Sequence, residues 1–169
     1  MHRPHPDRLI SERLAEVEPV EWTGDVWRHT LAGYPPDRRN VHGARWNPPG
    51  VEALYVSLER DTAIAEGDYL IASQPLRPAA KRTVHRLRIS LSALVDLTDP
   101  VLLEALGVDQ DALTSDDHRA CQAVGAAAVF LHLDGILVPS ARHPGANIVI
   151  LFTAGDVAPE IDVLDSQTL

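Results

Sequence analysis

The side chains best suited to chemistry gather in one run, HGARWNPPGVEALYVSLERDTAIAE, from His42 to Glu66. It holds a cation, a phenol and a carboxylate, Arg45, Tyr55 and Glu66, in a chain with only 5% aromatic residues. Gly43 stands just before Arg45 and two prolines, Pro48 and Pro49, follow it, which lowers the entropy cost of holding the guanidinium in place. A fixed guanidinium suits a phosphate or pyrophosphate. The same residues fit a plainer arrangement, with Trp46 plugging the core and Arg45 paired to a surface carboxylate. Taken singly, Glu66 reads as a solvated helix residue, Tyr55 as half-buried strand packing and Ser140 as a turn residue after Pro139. Arg38 and Arg39 lie in the same loop and could add phosphate contacts. The chain has no G-x-G-x-x-G, Walker A, G-x-S-x-G or H-E-x-x-H motif, and its eight histidines are scattered, so no metal site is expected.

The elements that must position these residues follow from periodicity. Leu9, Ile10, Leu14 and Val17 recur at helical spacing, which predicts an amphipathic helix from Pro6 to Val17. DVWRHTL predicts a strand, and the prolines and glycines of AGYPPDRRNVHGARWNPPG predict a long basic loop. EALYVSL predicts the strand carrying Tyr55, and DTAIAEGDYLIASQ a helix carrying Glu66 close to it. TVHRLRISL alternates as a strand, and DPVLLEALG has the Asp cap, first-turn proline and closing glycine of a helix. Thr114 to Leu133 is Ala-rich and predicts one long buried helix. DGILVPS and NIVILF predict two strands joined by the hairpin loop ARHPGA. The expected fold class is α+β, a single domain with a mixed sheet core and flanking helices.

Composition narrows the partners. The chain has 169 residues, 45% of them hydrophobic and 23% charged, enough for one soluble globular domain. A net charge of -9 argues against nucleic acid, whose phosphate backbone draws on clustered Lys and Arg. No run reaches the length of a membrane helix and the N-terminus has no signal-type apolar segment, so a cytoplasmic location is expected. The lone cysteine, Cys121, is expected in the core.

GARWNPPGVEALYVSLERDTAIAE resembles the RES-domain family, in which a G-x-R-W-N-P-x-G segment precedes an L-Y strand and an A-x-x-E helix. DGILVPSARHPGANIVILF resembles that family's second block, where a serine follows a strand and a Gly-Asn pair leads into the last one. The resemblance implies an ADP-ribosyltransferase-like fold, and a toxin of a toxin-antitoxin pair that degrades NAD by phosphorolysis or hydrolysis. It also implies a helix-turn-helix antitoxin as partner. NAD would be substrate, inorganic phosphate a possible co-substrate, and no bound cofactor is implied. Carried over by motif, Glu66, Arg45 and Ser140 are the implied catalytic residues, with Arg28 and Tyr55 joining Arg45 and Ser140 in substrate binding. Glu66 would stabilise the cation developing on the ribose carbon, Arg45 and Arg28 would clamp the pyrophosphate, and Tyr55 would stack on nicotinamide. Three positions depart from the family pattern: Ala44 replaces a second glycine, Leu70 a histidine one turn after the glutamate, and His29 a bulky apolar or aromatic residue. The implied division is a helical segment at 1–21, a catalytic domain at 22–155 and a tail at 156–169. Alternatives are an ADP-ribosyltransferase of a macromolecular target, an enzyme of another nucleotide, and a non-catalytic module binding NAD or the antitoxin.

Overall fold

The computed structural model describes residues 6–73, 81–152 and 158–169. Its strands are β1 (Val20–Leu31), β2 (Glu52–Ser57), β3 (Arg82–Asp96), β4 (Gly135–Pro139), β5 (Ala146–Phe152) and β6 (Glu160–Thr168). Its helices are α1 (Arg8–Leu14), α2 (Arg60–Ala72), α3 (Pro100–Ala105), α4 (Gln110–Thr114) and α5 (Arg119–Phe130). The strands run in the order β1-β2-β5-β4-β3, and β3 pairs back with β1, so the sheet closes on itself like a barrel. Closure depends on the length of β3. One edge of it pairs with β1, while the other carries β6 beside residues 83–90 and β4 beside residues 94–96. The β3–β4 pairing is parallel and the others are antiparallel.

Alternation along the strands sends side chains to two apolar layers. Val26, Leu54, Val56, Leu87, Ile89, Ile148 and Ile150 fill the enclosed face. Ala53, Ile136, Val138, Val149 and Leu151 face outward and pack with Trp46 and with Cys121, Val124, Ala127 and Ala128 of α5. Cys121 is thus a core residue, and burial pushes its thiol up to about 11. The weak point of the barrel is the β1–β2 seam, held in register only at Trp27 and Ser57.

Several expectations change. The long helix at 114–133 is really a turn followed by a shorter helix. Asp109 caps α4, which ends at Thr114; Ser115 Oγ then accepts from Asp117 N–H, and Asp117 accepts from Arg119 N–H. These short polar side chains compete with helical hydrogen bonding, so TSDD delays α5 to Arg119. The first helix is shorter than Pro6–Val17, and Leu9 is exposed while Leu14 is buried. β1 and β3 extend beyond the runs that alternate, because pairing with each other carries them on. The C-terminal stretch contributes β6, mostly exposed but hydrogen-bonded along β3. The Asp99–Pro100 helix start and the β4–β5 hairpin form as expected, with Gly107 in the left-handed region after α3.

Candidate active site

A cleft of about 580 Å³ opens at the β1–β2 seam, between α2, the 44–46 loop and the β4–β5 loop. Glu66 of α2 lies in its wall. Two donors from the hairpin converge on Glu66 Oε1: Ser140 Oγ at 2.5 Å and Asn147 Nδ2 at 3.0 Å. Among the described residues its other oxygen, Oε2, carries no hydrogen bond. Asn147 is itself set by Ser57, whose hydroxyl donates to Asn147 Oδ1 at 2.7 Å. One carboxylate oxygen is therefore tied down from the β4–β5 loop and from β5, and the other is left for a ligand. Sequence reasoning misses Asn147, although it belongs to the second motif block; only the fold reveals that its amide reaches α2.

Arg45 is held from a direction the sequence does not reveal. Its Nη1 donates to the carbonyls of Ser115 at 2.9 Å and Ala112 at 3.2 Å, so the end of α4 and the following turn take the guanidinium. Cations favour that end of a helix. Trp46 beside it is buried in the core, so the plug and the half-buried cation coexist in adjacent residues, without a surface carboxylate pair among the described residues. Gly43 takes a positive φ of 103°, with Pro49 packed against it, whereas Ala44 does not fall in that region. Alanine in place of the family's second glycine thus costs no backbone strain. α5 locks the loop from outside: Gln122 Nε2 donates to the Ala44 carbonyl at 2.9 Å, and Gly125 allows the Trp46 carbonyl to come so near that a Cβ would lie 1.7 Å from it.

Tyr55 lines the cleft, but its hydroxyl is committed to the protein. It donates to Asn47 Oδ1 at 2.6 Å and accepts from Trp46 N–H at 2.9 Å, and burial pushes its pKa up. Asn47, fully buried, also donates to the Val51 carbonyl at 2.8 Å. The phenol therefore braces the loop that presents Arg45.

Arg28 enters from β1. Its Nη1 donates to the Tyr55 carbonyl at 2.7 Å across the seam, while Nε is buried with no hydrogen-bond partner among the described residues. Burial lowers its pKa to about 10, which leaves it charged at neutral pH. His29, next to it, accepts from Arg82 Nε at 2.9 Å; burial and the Arg82 charge lower its pKa to about 4, so it is neutral. Its ring packs where any Cβ on Gly67 would clash, which lets α2 approach β1 closely.

Two further cleft residues are not singled out by the sequence, although Arg142 lies within the second motif block. Arg142, two residues after Ser140, stacks its guanidinium 3.3 Å from the centre of the Tyr69 ring. His118 lies at the start of α5 with its pKa lowered by burial and by Arg45, against the opposing pull of Asp116. Arg38 and Arg39 stay outside the cleft lining: Arg38 stacks on Tyr34, and Arg39 pairs with Glu52 and stacks on Phe152. Leu70 lines the cleft where the family pattern has a histidine.

The arrangement joins an oriented carboxylate to three guanidiniums, Arg28, Arg45 and Arg142, none of which pairs with a carboxylate among the described residues. The sequence model of the RES domain matches residues 14–169. This chain belongs to the RES domain family. Two relatives of this RES domain come from Mycobacterium tuberculosis. The NAD(+) phosphorylase MbcT is 33% identical, with the match covering 82% of this chain and 79% of MbcT. A probable NAD(+) phosphorylase is 40% identical, covering 86% of this chain and 70% of its own. The crystal structure of the M. tuberculosis MbcT-MbcA toxin-antitoxin complex contains a chain that matches this RES domain with a TM-score of 0.82 at 28% identity, over 96% of this chain and 93% of that one.

Proposed function

We propose that this RES domain is an NAD-degrading toxin that cleaves the bond between nicotinamide and ribose and passes ADP-ribose to inorganic phosphate. The observation that carries the proposal is the cleft itself: an oriented carboxylate shares its lining with guanidiniums whose charge no protein carboxylate neutralises among the described residues, in a chain of net charge -9. Such cations are costly to hold together without an anionic ligand. The names of the relatives as NAD(+) phosphorylases support the same assignment.

In this mechanism Arg28 and Arg45 hold the pyrophosphate through charge-assisted hydrogen bonds. Nicotinamide leaves as a neutral base, taking the electron pair of the C–N bond, so no general acid is needed. The difficulty is the positive charge developing on the ribose carbon. Glu66, fixed by Ser140 and Asn147, presents its free oxygen to that charge, a preorganised electrostatic contribution of about 3 kcal/mol. The Tyr55 ring would contact the nicotinamide while its hydroxyl holds the loop. No cofactor takes part; NAD and phosphate are both substrates.

The family resemblance extends the proposal to an ADP-ribosyltransferase-like architecture, a cytoplasmic site of action and a helix-turn-helix antitoxin partner. The likeness to the MbcT-MbcA toxin-antitoxin complex supports the partner. No described helix is long and apolar enough to cross a membrane. The test is incubation of the purified protein with NAD, with and without phosphate, reading nicotinamide and product mass. Phosphate-dependent release of nicotinamide with an ADP-ribose phosphate product is expected. Free ADP-ribose at an unchanged rate would replace phosphorolysis with hydrolysis. Binding of NAD without any release would leave a binding module, and transfer to an added protein or nucleic acid would make it an ADP-ribosyltransferase.

A further inference from the structure

The cleft holds one more guanidinium than a pyrophosphate clamp needs. Arg28 reaches it from β1 and Arg45 from the loop before β2, but Arg142 comes from the β4–β5 hairpin, the same short segment that supplies Ser140. The Arg142 backbone N–H donates to Ser140 Oγ at 3.2 Å, and that hydroxyl donates to Glu66. Arg142 is therefore tied by its backbone to the carboxylate that marks the reacting carbon. Its side chain makes no hydrogen bond or ion pair with the described residues and rests on the Tyr69 ring. A cation held on an aromatic face at a half-open position keeps all its N–H donors available and can move without breaking a salt bridge.

Resting on the proposed phosphorolysis, the geometry points to Arg142 as the residue that binds the acceptor phosphate and directs it to the ribose carbon. The fork of the guanidinium matches two phosphate oxygens, and a third oxygen then faces the carbon beside Glu66. Bond making balances bond breaking: that phosphate oxygen supplies the electron pair of the new C–O bond, the C–N pair leaves with nicotinamide, and neither oxidant nor reductant is involved. His118 shares this wall of the cleft with Arg142; burial and then Arg45 lower its proton affinity, Asp116 and Asp117 oppose them, and Arg142 adds a smaller fall. Water, being neutral, gains little from Arg142. The residue would thus decide acceptor choice rather than NAD affinity.

The test is steady-state kinetics of Arg142→Ala and Arg142→Lys with phosphate varied at saturating NAD, then NAD varied at saturating phosphate, with both products quantified by mass. Arg142→Ala should raise KM for phosphate at least tenfold, leave KM for NAD within about twofold, and move product from ADP-ribose phosphate toward ADP-ribose. Arg142→Lys, which keeps the charge but loses the fork, should fall between. An unchanged KM for phosphate, an equal rise in both KM values, or loss of folding by circular dichroism in both variants would overturn the assignment. If the unaltered protein releases no nicotinamide, the phosphorolysis proposal falls and this one with it. If the unaltered protein needs phosphate but Arg142→Ala keeps its phosphate KM, only the role of Arg142 falls.

Discussion

Ser140 Oγ donates to Glu66 Oε1 at 2.5 Å although the residues lie 74 positions apart, on a hairpin loop and a helix that meet only in the folded chain. The bond fixes the carboxylate without neutralising it, since Ser140 and Asn147 are both uncharged donors. Glu66→Gln can keep an oxygen acceptor at the same place while losing the charge. Turnover should fall about 10²- to 10³-fold, with KM for NAD changing far less, because the charge matters most in the transition state. Nicotinamide release rates and NAD binding by calorimetry check this. Equal losses in the two would remove Glu66 from transition-state stabilisation.

Arg28 makes a different prediction because it is buried with Nε unpartnered among the described residues. A desolvated cation of this kind costs stability in the empty protein and recovers it when an anion binds. Arg28→Met should leave the thermal midpoint of the free protein unchanged or higher, and should abolish most of the rise that saturating NAD produces. Differential scanning fluorimetry with and without NAD reads both. A full NAD-induced rise in the variant would take Arg28 out of the binding site.

The positions of Arg45 and Glu66 were legible because short motifs fix them on a Pro-rich loop and at the middle of a helix. Their supports were not. Arg45 rests on the carbonyls of Ala112 and Ser115, more than 60 residues away, and backbone carbonyls leave no trace in residue types. Ala-rich composition suggested helix straight through Ser115, and only the side-chain bonds of Ser115 and Asp117 reveal the turn that receives Arg45. Barrel closure was equally hidden, since alternation in TVHRLRISL shows that β3 has two faces but not that it has three partners. Gly125 reads as one small residue in an Ala-rich helix, yet it sets the approach of α5 to Trp46.

Tyr55 separates the brace from the contact surface. Tyr55→Phe keeps the ring in the cleft but strands the Trp46 N–H and Asn47 Oδ1, two polar groups beside the buried Asn47 and Trp46 side chains. The expected cost is about 1–3 kcal/mol in urea unfolding. KM for NAD should rise because the loop carrying Arg45 loosens, while the residual kcat stays close to that of the parent. A variant with unchanged stability would show that water replaces the hydroxyl and that the brace is dispensable.

His29 gives the cleft a pH limit on stability. Its folded pKa is lowered to about 4, from burial first and Arg82 second, with Asp68 opposing and Arg28 and His85 adding to the fall; an unfolded chain would titrate near 6.5. A base with a depressed folded pKa is protonated first in the unfolded state, so acid favours unfolding. The contribution of His29 to stability is whole above pH 6.5, declines as pH falls from about 6.5 to about 4, and is gone below that. His85 and His118 are shifted in the same direction, so the parent slope is a sum. His29→Gln keeps an acceptor for Arg82 Nε and should flatten that slope without abolishing it. Urea midpoints measured from about pH 7.5 to about pH 4 decide the point: a slope identical to the parent's would mean that His29 takes up its proton over the same pH range in the folded and the unfolded chain, and that its burial sets no pH limit.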